Sequence, residues 1–401
     1  MKIPQDRLNR YKGMRRDFTE EDHINLQPIQ RGGVLTEEAR RAILEFADGY
    51  STCDWCPPKT ARLDMITNPP IQHFYQDLAE FLGMDVARVV TRCREAKFIA
   101  FKMLGNPGDY VVLDSTAHYS SYLAAELAGL RVKEVPNSGP PEYRLDTSAY
   151  ASKIEEVRAE TGKAPAALLL THVDYLYGNL NEVKDVSRVA KDNGVPLILN
   201  CAYSAGVMPV DGRELGVDII TSSGHKSWAA SAPTGILAIS KSLEEKLLVR
   251  GKVEGDLTKR KFVQKELGML GCTVMGAPLM TLMASFPEVV ARVERWGEEL
   301  EKVRYLVSEL EKIEGVRQAG MRPKQHTLTH METEGFYRVS EGHKRKGFFL
   351  YDELRARKIM GIQAGLTKHF KFNTYGLTWD QVRYVRDAFF DIAKKYGLKV
   401  S

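Results

Sequence analysis

Lys226 closes the sequence Thr221-Ser222-Ser223-Gly224-His225-Lys226, which follows the apolar run Val217 to Thr221. A run this short and this apolar suits a buried parallel strand, so the lysine sits at a strand end. Burial disfavours the ammonium form and lowers a lysine pKa. The neutral amine is a nucleophile that can form a Schiff base with a carbonyl. An isolated lysine would more often snorkel from the strand end into water. Here small, hydrogen-bonding residues flank it, and Ala232-Pro233-Thr234-Gly235 makes a turn beyond Trp228.

Sulfur offers a second chemistry. Cys53 and Cys56 form a C-x-x-C pair on a stretch that Pro57 and Pro58 keep out of regular helix. Two thiols at this spacing can bond one another, share a metal or lower one another's pKa. A structural zinc wants about four ligands, and no second C-x-x-C exists. Redox or sulfur-transfer chemistry is therefore favoured, with an iron–sulfur cluster open. Cys272 lies in the glycine-rich run LGMLGCTVMG, a second flexible segment that could come from another subunit. Cys93 and Cys201 stand at a helix start and a strand end, which hold them in place; Cys93 reads as buried and inert. Five cysteines in a long chain argue against a disulfide framework.

These groups need elements to carry them. Val89-Val90-Thr91-Arg92-Cys93-Arg94-Glu95 reads as a strand running into a helix start. Free backbone N–H groups and the positive end of the helix dipole make that turn an anion site. Arg92 or Arg94 is then available for a second anion. Thr36 reads as the N-cap of a helix to Ala47, and Ile71 to Leu82 as another. Strands at Tyr110 to Leu113, Arg131 to Val135, Ala167 to Thr171 and Leu197 to Asn200 alternate with helices at Tyr122 to Leu130, Ala149 to Thr161 and Leu180 to Asn193. That βαβ order predicts an α/β fold, a mainly parallel doubly wound sheet of seven strands between helices, with ligands at the carboxyl ends of the strands. Leu243 to Glu266 reads as charged and mostly helical. The last third reads as a smaller α+β domain: a long helix over Pro287 to Ile313, strands at Gly335 to Val339 and Phe348 to Tyr351, a helix at Asp352 to Arg357, a strand at Lys371 to Thr374 and a final helix at Asp380 to Tyr396. The expected division is an N-terminal arm with the Cys-x-x-Cys loop (1–60), a large domain (61–286) and a small domain (287–401).

Composition is that of a soluble globular protein, with 43% hydrophobic and 27% charged residues. No run of about 18 apolar residues predicts a membrane span. The basic N-terminus lacks the apolar stretch of a secretory signal, so a cytoplasmic protein is expected. A net charge of +5 permits a polyanionic partner without requiring one.

Ser223-Gly224-His225-Lys226 with Ala232-Pro233-Thr234-Gly235 resembles the lysine loop of pyridoxal-phosphate (PLP) enzymes of the aspartate aminotransferase fold, fold-type I, and most of all the branch of the cysteine desulfurases. The resemblance implies that Lys226 binds PLP and that Ser223 and His225 hold its phosphate. It implies further that the amides of Cys93, Arg94 and Glu95 cradle that phosphate. Thr234 would reach the cofactor of a partner subunit, making the protein a homodimer. His118, after the strand at Tyr110, would stack on the pyridine ring. In the desulfurase branch an Asn contacts the cofactor hydroxyl where Tyr175 stands here, with Asp174 or Asn179 as substitutes. Asn200 replaces the Asp that usually pairs with the pyridine nitrogen, which implies a weaker electron sink suited to β-elimination. The arginine that grips a substrate carboxylate is missing from residues 367–374, where Lys371 stands nearest; an esterified substrate has no such need.

Over almost its whole length the chain resembles the archaeal O-phosphoseryl-tRNA:cysteinyl-tRNA synthases. GGVLTEEARRAILEFADGYSTCDWC, TRCREAKF, NCAYSAGVMPVDGRELGVD and SGHKSWAASAPTGILA carry the likeness, together with the trio Cys53, Cys56 and Cys272. The implied reaction takes O-phosphoseryl-tRNA(Cys) to cysteinyl-tRNA(Cys). Lys226 acts as general base, phosphate leaves, and a persulfide carried by the three cysteines adds to Cβ. The same three cysteines are the ligands if an iron–sulfur cluster is present. O-phosphoseryl-tRNA synthetase is an expected partner; Arg92, Arg94 and Lys371 are expected substrate contacts. The rival is a desulfurase-like enzyme acting on a free amino acid. Such enzymes carry an acceptor cysteine late in the chain, and residues 273–401 contain none.

Overall fold

The computed structural model describes residues 3–16, 18–48, 51–52, 69–261, 263, 266–269 and 274–401. Cys53, Cys56 and Cys272 lie outside the described residues.

Seven strands form the central sheet: β1 (Val86–Val90), β2 (Tyr110–Asp114), β3 (Arg131–Val135), β4 (Ala167–Thr171), β5 (Leu197–Asn200), β6 (Ile219–Ser223) and β7 (Gly235–Ile239). Their spatial order is β1-β7-β6-β5-β4-β2-β3. Only β7 runs against its neighbours, pairing antiparallel with β1 and β6. The central strands are apolar on both faces because helices cover both, whereas the edge strand β3 carries Arg131, Lys133 and Glu134. Val112, Leu168, Leu170, Leu197 and Leu199 join one core. Their alternates Val111, Leu113, Ala167, Leu169 and Ile198 join the other. Period-two alternation thus builds a three-layer α/β/α module.

Helix α1 (Glu37–Phe46) starts at Thr36, whose hydroxyl accepts the Ala39 N–H at 3.1 Å. Helix α2 (Cys93–Leu104) follows β1, and α3 (Tyr119–Ala128) follows β2. The long apolar stretch before residue 313 is two helices, α4 (Gly276–Val293) and α5 (Trp296–Leu310), rather than one. Arg292, near the end of α4, donates to Gly206 O, Gly32 O and Ser227 O at 2.9, 3.0 and 2.6 Å. It ties the N-terminal segment and the lysine turn to one helix.

The C-terminal part holds an antiparallel sheet of β8 (Val316–Ala319), β9 (Leu328–Thr333) and β10 (His369–Asn373). Its core combines Val303, Leu306 and Leu310 of α5 with Phe370 and Phe372 of β10 and Phe389 and Ile392 of α6 (Trp379–Lys395). Here the sequence expectation fails locally. Gly335 to Val339 lies in a helix, Glu334–Gly342, and Phe348 to Tyr351 falls in a 3₁₀ turn and the helix Phe349–Ala356. Phe336 and Ser340 are buried four residues apart, so helical spacing meets the core and overrides β propensity. The described residues of Leu243 to Glu266 are also mostly irregular, with one α-helical turn at Glu244–Leu247. Among the described residues no helix is long and apolar enough to cross a membrane.

Candidate active site

Parallel strands place their carboxyl ends on one edge of the sheet, and the residues singled out by chemistry gather there. One pocket is lined by Arg92, Cys93, Arg94, His118, Tyr175, Asn200, Ser223, His225 and Lys226, contributed by the ends of β1, β2, β4, β5 and β6.

The Lys226 amine lies 3.4 Å from the Tyr203 hydroxyl and 4.5 Å from the centre of its ring. Burial lowers its pKa, opposed in part by Cys93 and Tyr119. A lowered pKa is the direction a Schiff-base lysine needs.

The turn from β1 into α2 carries the anion cradle. Ala96 is the first residue of the helix to bond back, its N–H reaching Arg92 O at 3.1 Å. The N–H groups of Cys93, Arg94 and Glu95 therefore have no intrahelical acceptor. The Glu95 carboxylate accepts from the Thr91 N–H and hydroxyl at 2.6 and 2.5 Å, which fixes the turn and leaves its own amide to the cradle. Gly235, the first residue of β7, backs the cradle; a β-carbon there would sit 2.3 Å from the Arg92 carbonyl carbon and 2.6 Å from Cys93 N. Ser223 Oγ and His225 Nε2 are 3.4 Å apart on the opposite rim, and His225 Nδ1 lies 3.2 Å from Thr234 O. Arg94 stacks its guanidinium 5.4 Å from the Tyr119 ring, and its Nε is buried without a partner.

His118 caps α3: its Nδ1 accepts the Ser120 N–H at 3.3 Å and lies 2.9 Å from Ser120 Oγ. Burial, reinforced by Lys226 and Lys97, pushes it down to about 4, so the ring is neutral. Asn200 accepts on Oδ1 from the Cys93 thiol (3.5 Å) and the Ala202 N–H (3.3 Å).

Two residues that sequence reading passed over share the pocket. Lys97, 1% exposed, donates to Ser120 and Ser121 at 2.7 and 3.0 Å, and burial lowers its pKa to about 8. Its place four residues after Cys93, on the same helix face, is a signal the spacing carries. Thr171 ends β4 with a buried hydroxyl that has no partner. An orphaned hydroxyl on a pocket wall awaits a polar ligand.

Thr234 is buried and donates its hydroxyl to Ser231 O within its own turn. Asp174 caps the 174–179 turn, accepting from the N–H groups of Leu176, Tyr177 and Asn179 at 2.8, 2.6 and 2.8 Å. Asn179 bonds Glu142 O, Tyr143 O and Met321 N. Both are committed to the backbone, and of the three candidates only Tyr175 lines the pocket. Lys371 donates to Tyr175 O at 3.1 Å and borders a cleft of about 700 Å³ that opens from Lys226.

The cysteine trio lies outside the described residues, but its flanks do not. Ser51–Thr52 pairs antiparallel with Val274–Met275, Thr52 opposite Val274. Thr52 precedes Cys53 in sequence, and Val274 follows Cys272 by two residues. The other two thiols are buried; burial pushes Cys201 up to about 12, far from a thiolate. Among the described residues no cluster of His, Cys, Asp and Glu could hold a metal.

Chemically, the pocket offers an N–H cradle to a phosphate, a neutral imidazole to a ring, a carboxamide to a ring nitrogen and an amine to a carbonyl. The family described as O-phosphoseryl-tRNA(Sec) selenium transferase, SepSecS, matches residues 58–401. The chain is 52% identical over 398 residues to O-phospho-L-seryl-tRNA:Cys-tRNA synthase 2 of Archaeoglobus fulgidus, covering 99% of this chain and 98% of the relative. It is 51% identical over 394 residues to O-phospho-L-seryl-tRNA:Cys-tRNA synthase of Methanopyrus kandleri, covering 98% and 100%. Among solved structures it resembles a chain of the SepCysS-SepCysE N-terminal domain complex, with 47% identity, TM-score 0.88 and coverage of 97% and 99%. A cysteine desulfurase from Thermococcus onnurineus NA1 shares the fold at 18% identity and TM-score 0.71, covering 98% and 99%.

Proposed function

Because the chain belongs to the O-phosphoseryl-tRNA:cysteinyl-tRNA synthase family, we propose that it converts O-phosphoseryl-tRNA(Cys) to cysteinyl-tRNA(Cys) with PLP held on Lys226. The observation that carries this reading is the meeting, on one sheet edge, of a buried lysine with a helix N-terminus whose first three N–H groups are unspent. The residues present fit the cofactor. The amides of Cys93, Arg94 and Glu95, with Ser223 and His225, would hold its phosphate; His118 would cover its ring; Asn200 would face its nitrogen. The partnerless Thr171 hydroxyl lies on the same wall.

Bound there, PLP supplies an electron sink for the charge left on Cα when its proton departs. Lys226, its pKa lowered by burial, takes that proton as general base once it is released from the cofactor. Asn200 would hydrogen-bond the ring nitrogen without the charge of a carboxylate and so would temper the sink. Loss of phosphate from Cβ needs no stronger one. Arg92 and Arg94 stand beside the cradle for the departing phosphate, and Lys371 for the esterified carbonyl.

Sulfide opens a disulfide between two of Cys53, Cys56 and Cys272 to give a persulfide and a thiol; the persulfide's outer sulfur adds to Cβ, and the thiol attacks the resulting mixed disulfide, which frees the cysteinyl product and restores the protein disulfide. Pairing of Thr52 with Val274 supports this, because the sequence puts Cys53 and Cys272 within two residues of that ladder. An iron–sulfur cluster on the same trio is the alternative sulfur carrier. Anaerobic purification with iron and labile-sulfide analysis separates the two.

We propose also that the protein is a cytoplasmic homodimer and associates with O-phosphoseryl-tRNA synthetase. The relative crystallised as a SepCysS-SepCysE complex supports association with a protein partner. Borohydride reduction of the holoenzyme, followed by peptide mapping, tests the cofactor assignment: the pyridoxyl adduct is expected on Lys226. An adduct on Lys97 instead would refute it.

A further inference from the structure

Four aromatic rings stack in a column that the chemistry at Lys226 does not use. Tyr143 and Tyr177 lie face to face, centroids 3.8 Å apart and 6° from parallel. His330 follows at 5.4 Å and 32°, and His369 at 5.1 Å and 27°. The two histidines border both the cleft that contains Lys226 and a second groove of about 730 Å³, into which Tyr143 and Tyr177 face. The column therefore runs from the mouth of the active-site cleft onto the open surface.

The column is held deliberately. Tyr143 has a left-handed φ of +51°, a conformation costing a non-glycine residue about 1 kcal/mol or more. Asn179 fastens this turn, its amide donating to Glu142 O and Tyr143 O at 2.9 and 3.2 Å. His330 lies 3.1 Å from Leu176 O, to which its Nδ1–H donates, and burial keeps it neutral, its pKa down to about 4. His369 is exposed, and exposed Lys368 is next to it. The groove beside the rings carries Lys368 and Arg317, the latter paired with Glu332, and also Glu334; the neutral rings themselves offer a face on which a planar, uncharged base can stack.

We propose that the column Tyr143–Tyr177–His330–His369 is the platform on which the unpaired 3′ nucleotides of the tRNA substrate stack. The inference rests on the function proposed above. An amino acid esterified to the terminal ribose must enter the cleft to reach Lys226, and the nucleotides behind it must leave by the same mouth, where His330 and His369 stand. Stacking on aromatic side chains is sequence-tolerant and contributes on the order of 1–3 kcal/mol per base.

The test uses holoenzyme and two RNAs, uncharged tRNA(Cys) and the same RNA lacking its three 3′ nucleotides. Wild type is expected to bind the intact RNA about 5- to 100-fold more tightly than the truncated one. His369→Ala and Tyr143→Ala should erase that gap and leave affinity for the truncated RNA unchanged. Tyr143→Phe, which keeps the ring, should retain it. Equal wild-type affinity for the two RNAs, or a full gap in His369→Ala, overturns the proposal. If the gap is absent while wild type still converts phosphoseryl-tRNA, only the platform falls. If wild type neither binds nor converts the tRNA, the function reading falls with it. His369 is a surface residue, so its variant decides the matter even if Tyr143→Ala does not fold.

Discussion

The Sγ of Cys93 lies 3.5 Å from Oδ1 of Asn200, and the Ala202 N–H reaches the same oxygen at 3.3 Å. With its oxygen engaged by two donors, the Asn200 carboxamide has its nitrogen left to donate. A donor facing the pyridine nitrogen favours the unprotonated ring, whereas a carboxylate favours the protonated one. Asn200→Asp is therefore expected to strengthen the electron sink and to open amino transfer as a side reaction. Slow bleaching of the cofactor's visible absorbance with free phosphoserine would reveal it. A variant as stable to phosphoserine as wild type would show that the ring nitrogen is governed elsewhere.

The five cysteines should separate into two groups. Cys93 and Cys201 are buried; burial raises Cys201 to about 12, so it presents no thiolate near neutral pH, and the Cys93 thiol is spent on Asn200 Oδ1. Serine at position 93 keeps a donor to Asn200. Cys93→Ser and Cys201→Ser are expected to retain most cysteinyl-tRNA formation with sulfide as donor. Cys53→Ser, Cys56→Ser and Cys272→Ser should lose it while binding PLP normally. A dead Cys93→Ser beside active Cys53→Ser and Cys56→Ser would mean that the C-x-x-C is structural.

Gly235→Ala tests the anion cradle. The new methyl would stand 2.3 Å from the Arg92 carbonyl carbon, so the Arg92–Cys93 peptide must shift. Losing one hydrogen bond to a charged phosphate costs about 1.5–3 kcal/mol, or about tenfold or more in PLP affinity. A fluorescence titration of the apoenzyme measures it; unchanged affinity would place the phosphate elsewhere.

Acid stability follows from His326 and His172. His326 donates to Tyr203 O (2.8 Å) and accepts the Leu328 N–H (3.0 Å), which commits both nitrogens to the neutral ring. Burial lowers His326 to about 3 and His172 to about 4. Between these values and the ordinary 6.5 the unfolded chain binds more protons than the folded one. Stability is thus full above about 6.5 and falls as pH drops toward 3, by at most about 1.4 kcal/mol per pH unit per histidine. His326→Gln should flatten the fall in denaturant midpoints measured between pH 6.5 and 4. An equally steep fall would assign the acid lability to other groups.

The central strands were legible because they are short apolar runs buried on both faces: the reading of Leu197 to Asn200 coincides with β5, and Val217 to Thr221 is two residues early for β6. In the C-terminal part the final helix and the strand at Lys371 were legible too, but Gly335 to Val339 was read as a strand although it buries Phe336 and Ser340 at helical spacing. At the site, motif positions were readable where backbone carries the role, as at Cys93 to Glu95. They were not where side-chain direction decides. Asp174 spends its carboxylate on its own turn. Lys97 reads as an ordinary helical lysine until the packing of α3 over α2 buries it.

The central claim is the conversion of an amino acid while it is still attached to tRNA. O-phosphoseryl-tRNA(Cys), prepared with labelled phosphoserine, should be incubated with the holoenzyme and sulfide, and the aminoacyl group then released, alkylated and identified. The account predicts cysteine on the tRNA, phosphate released in equal amount, and little turnover of free phosphoserine under the same conditions. Recovery of phosphoserine unchanged, or equal conversion of the free amino acid, would contradict it.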